Sequence, residues 1–172
     1  KGFLDQMKSK SQWSTAGKIF CLAAVLCLVI FIALDKRLTV RTYQETTPFL
    51  REPVRLTVIT DLHAGMYGEG QKDLLDAVSR QEPDVVLLAG DIADDEVPGD
   101  GVWMLVSKLG GKYPCFYVSG NHEFWSGRAE EVKQEMETYG VEVLEGEGRL
   151  LEVQGQKLQI FGVDDPDCFG NG

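Results

Sequence analysis

Pro83-Asp84-Val85-Val86-Leu87-Leu88-Ala89-Gly90-Asp91 decides the fold of this chain. Pro83 and Asp84 stop what precedes them, and Val85–Ala89 is apolar without alternation. A strand with that pattern is covered on both faces, as in a parallel sheet beneath helices. Gly90 then permits the sharp turn that leaves an acidic side chain at the strand end.

The same device appears on either side of this stretch. Residues 55–60 read as a strand running into Asp61-Leu62-His63, and residues 115–118 as one running into Gly120-Asn121-His122-Glu123. His63 lies 28 residues before Asp91, and Asp91 lies 30 before Asn121. Helices fit the intervals. Residues 71–81 place Leu74, Leu75 and Val78 on one face, and 102–109 place Val102, Leu105, Val106 and Leu109 inward. After Ser126, a further helix would bury Ala129, Val132, Met136 and Tyr139, with Glu130 and Glu131 at its positive end. A strand is expected at 141–144, and a hairpin at 148–163 around Gln154-Gly155. Residues 38–43 alternate apolar and polar side chains and read as a half-buried strand. Repeated β-α-β units predict an α/β class with a largely parallel, covered sheet.

The 172 residues suffice for one domain with a proper core, and the net charge is −10. Residues 38–172 carry 11 Lys and Arg against 25 Asp and Glu, a net −14. So acidic a surface disfavours nucleic-acid phosphates, and no nucleic-acid partner is expected. Bound cations would invert the local field, so a phosphorylated substrate remains compatible. Cys21, Cys27, Cys115 and Cys168 show no CxxC spacing, which points to neither structural zinc nor a disulfide framework.

Residues 19–34 form an uncharged, mainly apolar run, extended by Ala16 and Gly17, with Trp13 placed for an interface. The expected reading is an uncleaved transmembrane helix over 16–35, after a basic segment 1–15 and before a soluble domain 36–172. The rivals are a buried core helix, which the lack of a recurring polar face disfavours, and a signal peptide, for which no small-x-small cleavage pattern follows. Four basic residues precede the run and four follow it closely, so positive charge sets no orientation. The chain starts at Lys1 and stops at Gly172 just after an apolar strand, and a fragment cut at both ends is expected.

The three strings bring metal-ligand chemistry to one sheet edge, since ligands bind beyond the C-terminal strand ends of such sheets. On a strand extension, Asp61 and His63 would point the same way and grip one ion with a carboxylate and an imidazole. Asp91 could bridge two ions, Asn121 offers a neutral carbonyl oxygen, and His122 is a ligand or a proton donor. Glu123 reads as a helix-start carboxylate or a support for the ligands. Each string alone is commonplace in turns and caps. The ordered set after three strands is what points to hydrolytic chemistry.

Thr60-Asp61-Leu62-His63, residues 83–91 and Val118-Ser119-Gly120-Asn121-His122-Glu123 resemble the calcineurin-like metallophosphoesterase family. The apolar run and Phe161-Gly162-Val163-Asp164-Asp165-Pro166 resemble its bacterial membrane-associated phosphodiesterase branch. Thr60 and Ala89 stand where relatives often have small hydroxyl residues. The resemblance implies a four-layer α/β/β/α sandwich, of which this chain would hold the N-terminal part. It also implies a dinuclear site of two divalent ions (manganese, iron or zinc). Asp61 and His63 would bind the first ion, Asp91 would bridge, Asn121 would bind the second, and His122 would act in catalysis. It implies hydrolysis of phosphodiester or related phosphoester bonds by a single-pass protein of the cell membrane, and the anchor, holding the site near the bilayer, makes lipid or envelope substrates the expectation. The family resemblance slightly favours the extracytoplasmic side. The family completes its site with a further histidine and a Gly-His-x-His string. This chain has two histidines, both used above, so truncation is the simplest expectation. Asp164 and Asp165 read as structural or substrate-facing rather than as substitute ligands. The rival to an enzyme is a catalytically incomplete, membrane-tethered binding or scaffold module.

Overall fold

The computed structural model describes residues 15–33, 37–94 and 99–169. The chain divides into two units, Lys1–Thr39 and Val40–Gly172. In the first, Thr15–Ala33 forms helix α1. No helix among the described residues is long and apolar enough to cross a membrane. The expected transmembrane anchor, the cell-membrane location and the extracytoplasmic side are therefore corrected. Most of the basic segment 1–15, and residues 34 and 35 of the expected anchor, lie outside the described residues.

The second unit is built around a parallel sheet. Its strands are β1 (Leu56–Ile59), β2 (Val85–Ala89), β3 (Cys115–Val118) and β4 (Glu142–Val143), in that spatial order. Between them run helices α2 (Lys72–Arg80), α3 (Asp100–Leu109), α4 (Asn121–Trp125) and α5 (Ala129–Thr138). Ile59 lies opposite Leu88, and Ala89 opposite Val118, so β1, β2 and β3 end level. Strands β5 (Glu147–Val153) and β6 (Gln156–Gly162) pair as an antiparallel hairpin. Gln154 and Gly155 turn it with φ of 52° and 72°, the left-handed pair that a two-residue hairpin needs.

Strand alternation sorts the core into two clusters. Val86, Leu88, Cys115 and Tyr117 face Leu74, Val78, Val102, Leu105, Val132 and Met136 of the helices. Val85, Leu87, Phe116 and Val118 face Leu151, Val153, Leu158 and Ile160 of the hairpin. Each buried aliphatic side chain contributes about 1.5–3 kcal/mol. Both faces of β2 are thus covered, which is why its sequence lacks polar positions. The described residues form three layers, helices on sheet on hairpin. Leu150 and Phe161 are exposed on the hairpin, and the second helical layer of the expected four-layer sandwich is not among them.

The strand expected at 38–43 does not form. Residues 37–46 have no regular structure, and Leu38, Val40 and Tyr43 are exposed. Alternation alone cannot stabilise a strand that has no neighbour to satisfy its backbone.

Candidate metal centre

Three loops leave the level ends of β1, β2 and β3 and stay joined. Asp61 N–H donates to Gly90 O (3.2 Å), His63 N–H to Asp91 O (2.9 Å) and Ala64 N–H to Ile92 O (3.0 Å). Thr60 Oγ1 donates to Ala89 O (3.0 Å) and lies 2.8 Å from Asp61 Oδ2. The backbone is not the strand extension expected. Asp61, His63, Ala64 and Asp91 all have left-handed φ, between 46° and 53°. Such a conformation costs a non-glycine residue about 1–2 kcal/mol, and it persists only where the surroundings over-determine it. Asp61 and His63 still converge, with His63 Nε2 4.0 Å from Asp61 Oδ1.

Glu123 is the clamp between the second and third loops. It has no exposed surface, and its carboxylate accepts four backbone N–H groups. Oε1 takes those of Ile92 (2.8 Å) and Ala93 (3.0 Å), and Oε2 those of Asp91 (3.0 Å) and Gly120 (2.9 Å). The Gly120 contact makes Glu123 the capping-box acid of α4, as its helix-start reading expected. Asp91 Oδ1 in turn accepts the His122 N–H at 3.0 Å. Asp91 packs so closely that a Cβ on Gly120 would lie 2.1 Å from its Oδ1.

The side chains gather into two donor groups. Asp61, His63 and Asp91 have ligand atoms within 4.8 Å of one another, and so do His63, Asp94 and His122. His63 belongs to both. Two donors at about 2.1 Å from one ion stand no more than roughly 4.2 Å apart, so the Asp61–His63 separation already fits and only sub-ångström closure is needed elsewhere. Carboxylate with imidazole suits manganese, iron or zinc. The residues present therefore fit a divalent cation. Asn121 opens α4 beside His122 and is partly buried at the same edge.

Asp94 was not among the residues read from sequence. Its Oδ1 lies 3.9 Å from His122 Nδ1. The available signal was its position three residues after Asp91, on the loop that faces the Asn121-His122 turn. His122 also meets the His63 ring edge-on, with centroids 4.5 Å apart, and the Trp125 ring at 5.0 Å.

Asp164 and Asp165 support the third loop from behind. Asp164 is buried; its Oδ1 accepts the Ser119 N–H (3.0 Å), and its Oδ2 meets Lys133 Nζ at 2.7 Å. Asp165 N–H donates to Ser119 O at 3.0 Å. Burial lowers the Lys133 pKa, but its hydrogen bonds to Asp164 and Glu145 outweigh that and leave it raised. Between this pair and Glu123, burial pushes the Tyr117 phenol up, and the Glu123 charge adds to the effect.

The family model for calcineurin-like phosphoesterases matches residues 54–170. The chain belongs to the calcineurin-like phosphoesterase family. Within that family it is 28% identical over 115 residues to F40B5.2 of Caenorhabditis elegans, named as a metallophosphoesterase, covering 65% of this chain and 24% of that protein. A Helicobacter pylori protein, named an uncharacterized metallophosphoesterase, is 30% identical over 103 residues, covering 57% of this chain and 27% of its own length. The chain thus spans about a quarter of the length of these relatives. Among solved structures, the phosphopantetheinyl hydrolase of Mycobacterium tuberculosis aligns with a TM-score of 0.46 at 25% identity, covering 62% of this chain and 41% of that one. The family uses divalent metals, and the two donor groups are candidate ligands for them.

Proposed function

We propose that this calcineurin-like phosphoesterase domain hydrolyses phosphodiester or related phosphoester bonds with a pair of divalent cations. The observation that carries the proposal is the convergence of Asp61, His63 and Asp91 in one donor group at the level ends of β1, β2 and β3, with His63 also within reach of His122 and Asp94. Asp61, His63 and Asp91 would hold one cation, and Asp91 with Asn121 the second. When bound, the cations supply charge stabilisation at phosphorus and an acidified water.

The chain's own residues do the rest. Glu123 fixes the backbone of Asp91 and Gly120, so the spacing between the Asp91 loop and the Asn121-His122 turn is set before substrate arrives. His122 is placed to give a proton to the leaving oxygen, and Asp94 to orient its ring and stabilise the imidazolium. In the balanced reaction the bond from phosphorus to the leaving oxygen breaks and one to water oxygen forms. One water proton ends on the leaving alcohol. The net −14 of residues 38–172 directs this reading to small phosphoesters rather than nucleic acid. A lipid or envelope origin of the substrate rested on the anchor and is not carried forward.

The test is turnover of bis-p-nitrophenyl phosphate by the full chain with manganese, iron or zinc. Asp91→Asn is expected to lose both metal and turnover. His122→Ala is expected to keep metal and lose about 10²–10⁴-fold in kcat, the usual scale for a proton donor. Unchanged turnover in both variants would sink the assignment. A second reading, a metal-binding module without turnover, is favoured by one fact: the chain's two histidines are both already in the site. Metal binding with no hydrolysis of any phosphoester would select it.

A further inference from the structure

We infer that Trp125 is the wall against which the leaving group of the substrate stacks, and that the site selects phosphoesters whose leaving alcohol carries a flat aromatic ring. The inference rests on the phosphoesterase reading and adds the substrate class.

Trp125 ends α4, one turn from His122, and its ring centroid lies 5.0 Å from the imidazole at a 48° tilt. The indole is fixed rather than free, because Nε1–H donates to Asp167 Oδ2 at 3.1 Å. Yet the residue is 60% exposed, so a large aromatic surface is held rigid without being used in the core. A buried tryptophan serves packing. One pinned by its polar edge with its face open serves recognition. A group attached to the oxygen that His122 protonates must leave the site within about one ring width of this surface.

An aryl or nucleoside-like ring on the leaving group would gain stacking on this surface.

Non-hydrolysable probes separate binding from leaving-group reactivity. Benzylphosphonate and ethylphosphonate would be titrated calorimetrically into the manganese-loaded full chain. Wild type and Trp125→Phe are expected to bind benzylphosphonate about five- to tenfold tighter, the scale of one aromatic pair. Trp125→Ala should bring the ratio near one while leaving ethylphosphonate affinity unchanged. Asp167→Ala, which releases the indole edge without removing the ring, should lower the ratio part of the way. An aromatic preference that survives intact in Trp125→Ala overturns the inference and leaves the phosphoesterase reading standing. Failure of the wild type to bind either phosphonate in the presence of manganese fails that reading and the inference with it.

Discussion

Glu123 shows how much one side chain can organise. Two carboxylate oxygens hold four N–H donors from two loops, and the residue has no contact with solvent. Glu123→Gln keeps the shape but replaces one oxygen by a donor, so two of the four N–H groups face an NH₂. The expected cost is about 2–4 kcal/mol, from lost charge-assisted bonds and buried unsatisfied donors. Urea denaturation measures it, and a change below 1 kcal/mol would show that the donors find other partners. Gly120 makes a sharper test of geometry. An added Cβ would sit 2.1 Å from Asp91 Oδ1 and 2.5 Å from Asp91 N, and neither the backbone nor a carboxylate oxygen held by the His122 N–H can yield cheaply. Gly120→Ala should therefore cut metal affinity by about 10–100-fold, the scale for disturbing a ligand's support, with far-ultraviolet dichroism retained. The convergence of Asp61, His63, Asp91 and His122 at one sheet edge was legible because histidine is scarce here and each follows an apolar strand. Asp94 was not, because its role depends on which loops face each other. The left-handed backbone at Asp61 and His63 was equally hidden, since nothing in Asp-Leu-His distinguishes strand from turn.

Among the secondary elements, α5 is tied to the site by a buried ion pair rather than by apolar packing alone. Lys133 reaches Asp164 at 2.7 Å and Glu145 at 2.5 Å, with 7% of its side chain exposed. Asp164 in turn holds the Ser119 N–H, so the end of β6, helix α5 and the loop before Asn121 move together. Lys133→Met leaves Asp164 buried without its counter-charge and should destabilise by about 3–5 kcal/mol, whereas Lys133→Met with Asp164→Asn should recover part of the loss. Thermal unfolding of the two variants distinguishes this from simple loss of packing. The pH dependence has a definite sign. The folded-state pKa of Lys133 is raised above 10.5, so the pair's contribution is complete below that value and is lost as pH climbs through the higher folded value. Wild type should lose stability on the alkaline side of 10.5 more steeply than Lys133→Met. Elements of this kind were readable wherever periodicity and burial agree, as in α2, α3, α5, β2 and the hairpin. Helix α4 escaped because five residues carry too little pattern to show a face. The alternation at 38–43 misled because pairing, not pattern, makes a strand.

For the whole molecule, length and charge overrule local appearance. The apolar run looked like an anchor from composition, but no helix among the described residues is long and apolar enough to cross a membrane. The acidic balance of residues 38–172 has a thermodynamic consequence at the site. Asp61 on the loop after β1 meets Asp91 and Asp94 on the loop after β2, so without cations their mutual repulsion opposes the fold it is built on. A cation that binds the folded chain and not the unfolded one stabilises it by RT ln(1 + [L]/Kd), about 2.7 kcal/mol at a hundred times Kd. Manganese at that concentration should therefore raise the thermal midpoint of the full chain over a chelated sample by about 5–11 °C, at roughly 2–4 °C per kcal/mol for a chain of this size. Asp91→Asn, which keeps its main-chain contacts to Glu123 and His63, should begin at a similar or higher midpoint without metal and gain little from manganese. An equal manganese shift in wild type and Asp91→Asn would mean that the cation stabilises the acidic surface at large rather than the centre formed by the three loops.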